Sequence, residues 1–217
     1  PGVLSYSAHC WAFCTGLRSD STKVYGNGDA MDRVVPEGTA FIANLLRQKK
    51  DVFLAQSGKL VHKWDDATRF CNGFDLIEYT KQYDNPGPAF RGRAVLCPNG
   101  PKDAELEYRE LPDAKVVERL ERLRNEREAK IAAGAADTWN LRKPFQQLYA
   151  EQIGDSGIPE EQSEDGRLSR SAAELIGDMA REGKQFFLTV GLYATHTPLL
   201  APRKYVDLYD PDQMPLT

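Results

Sequence analysis

Histidine, cysteine, long apolar runs and excess positive charge are all scarce in this chain of 217 residues, and each scarcity narrows what the protein can be. The three histidines, His9, His62 and His196, are few enough to weigh one by one. Four cysteines, Cys10, Cys14, Cys71 and Cys97, are too few to staple a miniprotein, and they lack the paired C-x-x-C spacing of a zinc site. Cys10 and Cys14 stand four apart, share one face of a helix, and read as small buried apolar groups. Cys71 and Cys97 flank a polar, proline-containing loop, where a bridge is the expectation for an oxidising compartment.

No apolar run approaches the roughly 20 residues that cross a bilayer. The longest, FFLTVGL at 186–192, is broken by Thr189 and Gly191, so no membrane span is expected. Against 32 acidic residues the 28 lysines and arginines leave a net charge of -4. With no basic excess to displace counterions, nucleic acid is not an expected partner. The chain opens PGVLSYS, without an initiator methionine or a basic-then-apolar leader, which leaves any signal peptide either removed or upstream.

What is present is the composition of one globular domain, 41% hydrophobic and 28% charged. Phe41, Ile42, Leu45 and Leu46 recur at helical spacing after Pro36 and Thr39, with Thr39 as a candidate cap, and lead into VFLAQ, a short buried strand. Residues 65–112, rich in Asp, Asn, Gly and Pro, read as a loop-rich excursion with little regular structure. Across 113–165 a helical insertion is expected, with Val116, Val117, Leu120, Leu123 and Ile131 as its stripe and charge pairs such as Glu118 with Arg122 on its solvated face. Leu168, Ala172, Leu175, Ile176 and Met179 trace another amphipathic helix, followed by QFFLTVGL, which has the look of a central parallel strand. Helix, strand and loop alternate in this way in α/β proteins, whose sites lie beyond the carboxyl ends of the strands.

Two of the histidines share that address. Lys59 and His62 follow VFLAQ in the stretch SGKLVHKW, and His196 follows QFFLTVGL. A lysine is a point charge and a histidine a switchable donor, so together they suit a tetrahedral oxyanion and the protonation of a leaving oxygen. The same residues also fit a plain turn at Gly58-Lys59 and a satisfied loop histidine at His62.

GKLVH resembles the G-K-x-x-H element of the type I sulfatases. The segment QFFLTVGLYATHTPLLAPRKYVDLYDPDQMPL is similar to that family's F-F-L-x-V-G-x-x-x-x-H-x-P-x-x-x-P-x-x-Y-x-x-L-Y, above all in its iduronate-sulfatase-like branch. TGLRSDSTKVY at 15–25 resembles the T-G-x-R-x-D-x-T-x-x-Y that follows the family's nucleophile, and LCP at 96–98 and LPD at 111–113 extend the likeness. The segments agree in order and spacing from Tyr6 to Leu216.

The resemblance implies an alkaline-phosphatase-like α/β sandwich, a central, mostly parallel sheet flanked by helices, with residues 1–217 forming a single partial catalytic domain. It implies a sulfate ester as substrate, a sulfated carbohydrate in particular, a calcium cofactor whose ligands lie mostly outside this chain, and a secreted, periplasmic or lysosome-like setting. By the same resemblance Lys59, His62 and His196 contact the sulfate. The nucleophile position falls on Tyr6, within Tyr6-Ser7-Ala8-His9-Cys10, where the family has C/S-x-P-x-R and converts the first residue to formylglycine. A phenol cannot become that aldehyde hydrate, and the missing arginine removes a fixed cation. A slip of one residue offers Ser5 or Ser7, which restore neither proline nor arginine; Ser7 and Cys10 are the alternative nucleophiles. Ala194 stands where the closest branch has lysine, and Asp65-Asp66 reads as loop charge. Two other readings follow from the same pattern: a catalytically inactive relative that binds a sulfated glycan, and a phosphodiesterase or phosphonate hydrolase of the same superfamily.

Overall fold

The computed structural model describes residues 6–27, 29, 31–49, 51–61, 68–79, 86–97, 108–194 and 196–214. The chain divides into two compact units, Pro1–Pro101 with Arg167–Leu192, and Lys102–Gly166 with Tyr193–Thr217. The expected helical segment 113–165 belongs to the second of them.

The first unit is built on a four-stranded, all-parallel sheet flanked by helices, the α/β architecture anticipated above and consistent with part of an alkaline-phosphatase-like domain. Before the sheet come α1 (Tyr6–Thr15), the single turns α2 (Ser19–Thr22) and α3 (Met31–Val34), and α4 (Ile42–Arg47). The strands are β1 (Val52–Gly58), β2 (Leu76–Tyr79), β3 (Arg93–Leu96) and β5 (Gln185–Gly191), in the order β3-β2-β1-β5; α5 (Thr68–Cys71) precedes β2. Successive strand side chains alternate between faces, so Val52, Leu54 and Gln56 of β1 share a face with Phe187 and Thr189 of β5 and Ile77 of β2. That face meets α1 and α4 in a core of Trp11, Phe41, Ala43, Leu54, Phe70, Phe74 and Ile77. Trp11 makes edge contacts with Phe41 at 5.4 Å and Phe70 at 5.2 Å between ring centroids. Burial of this aromatic group stabilises the unit by about 25 cal/mol per Å² of apolar surface removed from water.

The opposite face carries Ala55, Ser57, Leu76 and Glu78, and α8 (Glu164–Arg181) lies against it through Leu168 and Ser171. Leu168, Ala172 and Met179 of α8 are buried, while Ile176 of the expected apolar stripe is 43% exposed.

Three expectations are corrected in this unit. β5 is parallel but stands at the edge of the sheet formed by the described residues, with Phe186 and Val190 exposed; an apolar run says that a strand can be buried, not that a neighbour lies on each side. Within 65–112, β2 and β3 supply two sheet strands and α5 a helical turn. Each strand is only four residues long and is framed by Gly, Asn and Pro, so the punctuation hid it. The start of α4 is Phe41, with no side-chain cap, rather than Thr39.

In the second unit α6 (Ala114–Ala132) starts on Asp113, whose carboxylate accepts from Lys115 N at 2.9 Å and Val116 N at 3.4 Å. It packs on α7 (Trp139–Ala150), and Tyr108, Leu111, Leu120 and Phe145 form a small core. β4 (Ile153–Asp155) pairs in parallel with β6 (Leu199–Ala201), which is followed by α9 (Arg203–Val206). Among the described residues no helix is long and apolar enough to cross a membrane.

Candidate functional site

Lys59 follows directly on β1, at the carboxyl end of the parallel sheet, and is 8% exposed. A lysine that deep gives up most of its hydration, so it costs stability unless its charge meets a partner. Its backbone is tightly held. Lys59 N donates to Gly191 O, the last residue of β5, at 2.9 Å. Two glycines permit that approach. A Cβ on Gly58, where φ is +77°, would stand 2.3 Å from Gly191 O, and one on Gly191 would stand 1.6 Å from Lys59 O.

Two buried polar arrangements support this strand end, one on each face. On the aromatic face Thr189 Oγ1 donates to Gln56 Oε1 at 2.6 Å, and Gln56 Nε2 donates to Gly58 O at 2.7 Å. On the α8 face both oxygens of the Glu78 carboxylate accept from serines, Ser57 Oγ at 2.5 Å and Ser171 Oγ at 2.6 Å. The second arrangement ties helix to sheet through hydrogen bonds to a carboxylate, which run stronger than neutral ones.

His196 belongs to the second unit and is exposed. The turn that carries it is fixed by Asp165, whose carboxylate accepts from Tyr193 N and Ala194 N, each at 2.7 Å, while His196 N donates to Tyr193 O at 2.7 Å. His196 Nδ1 lies 2.7 Å from Thr197 O. A carbonyl can only accept, so Nδ1 carries the proton there and Nε2 is the nitrogen left to exchange one.

Of the other candidates, His62 and Asp65-Asp66 lie outside the described residues. Tyr6 opens α1, and Cys10 and Cys14 lie on the same helix. Cys10 is half-buried and Cys14 buried, and burial, followed by the neighbouring Cys10, pushes the Cys14 thiol up to about 12, which keeps it protonated and unreactive. Cys71 and Cys97 are both buried, and the expected disulfide does not join them. Lys59 belongs to the first unit and His196 to the second.

Among the described residues no three Asp, Glu, His or Cys side chains come together to hold a metal ion. The resemblance puts the ligands of its calcium mostly outside this chain. An open groove of 820 Å³ runs along α6, lined by residues such as Arg109, Val117, Glu121 and Arg122; its mixed charges and distance in sequence from the strand ends leave it outside the site.

Gln56, Thr189, Glu78 and Asp165 are the polar residues that sequence reasoning passed over. The one signal available was the pair Gln56-Ser57 inside an otherwise apolar strand. No protein-family model, curated protein or solved structure matches the chain.

Proposed function

We propose that this chain carries the sulfate-holding part of a type I sulfatase-like domain, and that the protein hydrolyses sulfate esters of carbohydrate. The observation that supports this reading best is Lys59, nearly buried and pinned through its backbone at the carboxyl end of a parallel sheet, the address at which α/β folds bind ligands. In this reading the Lys59 ammonium and the His62 imidazole hold the sulfate oxygens.

A second reading, binding of a sulfated glycan without turnover, is favoured by Tyr6 at the nucleophile position, because a phenol cannot supply the family's aldehyde hydrate. A chromogenic aryl sulfate, sulfated oligosaccharides and a phosphate diester, offered to the full chain in parallel, decide among these. The enzyme reading expects sulfate release that falls about 100-fold or more in Lys59→Ala and His62→Ala. Binding of sulfated oligosaccharides by calorimetry without release selects the second reading. Preferential cleavage of the diester selects a phosphoryl-transfer enzyme, and neither release nor binding removes all three.

A further inference from the structure

The Gly58–Lys59 peptide is held at both of its polar atoms. Its N–H donates to Gly191 O at 2.9 Å, and its carbonyl accepts from Gln56 Nε2 at 2.7 Å. A peptide is a rigid plane, so fixing its two ends fixes the direction in which the Lys59 Cα departs from it. Gln56 can serve only if its amide faces the right way round. The Gly58 carbonyl, which can only accept, fixes that orientation, and the Thr189 hydroxyl braces it by donating to Oε1 at 2.6 Å from the neighbouring strand, where Thr189 is the register partner of Gln56.

The pair gives direction as well as stability. Gln56 is fully buried and Thr189 9% exposed, on the same sheet face as Leu54, Phe187 and the aromatic core. Leucine and valine would fill those places without desolvating an amide and a hydroxyl, but they would leave the buried Gly58 carbonyl without the bond that Gln56 Nε2 gives it. What the polar pair adds is aim: it acts on a carbonyl that no aliphatic side chain could hold.

We propose that Gln56 and Thr189 are positioning residues for Lys59, a buried two-residue strut that sets the angle at which the lysine meets its anion. The inference rests on the reading of Lys59 as a sulfate contact, and its test separates the two. Wild type, Gln56→Leu/Thr189→Val, Thr189→Ser and Lys59→Ala are each titrated with inorganic sulfate. In the same samples amide hydrogen exchange is read at Lys59, and the urea midpoint of unfolding is recorded. The strut predicts that the double variant, its Gly58 carbonyl left unpaired, folds with a lowered urea midpoint, loses about tenfold in sulfate affinity and, relative to the amides of Leu54 and Ala55, about tenfold in exchange protection at the Lys59 amide, and that Thr189→Ser, which retains the hydroxyl, behaves as wild type.

A folded double variant with undiminished protection at Lys59 overturns the strut. So does a Thr189→Ser variant that loses affinity as far as the double variant. Should the double variant fail to fold, the single variant Thr189→Val takes its place against Thr189→Ser, with the same expectations. If wild type shows no sulfate binding that Lys59→Ala removes, the sulfate reading falls, while the exchange measurement still decides whether Gln56 and Thr189 hold the lysine peptide.

Discussion

The two units are stabilised in opposite ways. The parallel sheet of the first rests on an aromatic core and on polar groups that are themselves buried: Gln56 with Thr189, and Glu78 with Ser57 and Ser171. The α6–α7 pair of the second has, among the described residues, a small core of Tyr108, Leu111, Leu120 and Phe145, and surrounds it with ion pairs at the surface. Arg127 and Arg142 converge on Asp137 at 2.7 and 3.0 Å, Arg109 meets Glu121 at 2.9 Å, and Arg124 meets Glu128 at 2.8 Å one turn on. The Tyr108 hydroxyl also donates to Glu121. Similar hydrogen-bond geometry therefore carries very different weight. A buried polar group stripped of its partner costs about 1–3 kcal/mol, whereas an exposed ion pair is worth about 0–1 kcal/mol and is screened by salt.

The sharpest way to break this contrast is Gly191→Ala. Its methyl would meet the Lys59 carbonyl, which is backbone and cannot swing aside, so a loss of about 3 kcal/mol is expected in urea unfolding of the first unit. A loss below 1 kcal/mol would mean that the strand end yields easily and that the close approach of β1 and β5 constrains nothing.

Ser171→Ala comes next. It leaves Glu78 with one hydroxyl partner instead of two and should cost about 1–3 kcal/mol, with no dependence on added salt. A salt-sensitive loss would place Glu78 among the surface charges instead.

The smallest effect belongs to Asp137→Asn, and it is read from pH. Hydrogen bonds from Arg127 and then Arg142 hold the Asp137 carboxyl down from 3.8 to about 2. Because the folded value lies below the unfolded one, this group's stabilisation is present above pH 4 and is lost as pH falls through 2. Thermal melts of wild type and Asp137→Asn across that window should converge at the acid end. Parallel curves would show that the two arginines do not depend on this charge.

The contrast also bears on what could be read beforehand. α6 and α8 were legible because a stripe of apolar residues at helical spacing persists over many turns, and β1 and β5 because each is an apolar run next to a turn. β2 and β3 were not, since a four-residue strand carries too few positions to show a period and here lies among Gly, Asn and Pro. Lys59 was singled out from its place after a strand and from the G-K-x-x-H likeness. Gln56 and Thr189 were missed because they lie 133 residues apart and neither belongs to a local pattern.

The sequence by itself determined the longer elements, α6, α8, β1 and β5, and the α/β class, through side-chain pattern, and it marked Lys59 and His196 as groups that follow apolar runs. Only the tertiary structure decided the strand order, the edge position of β5 and the partners of the buried polar groups. The physical reason is range: periodicity acts between residues a few places apart, whereas a hydrogen bond such as Thr189 to Gln56 exists only after folding has laid two distant strands side by side.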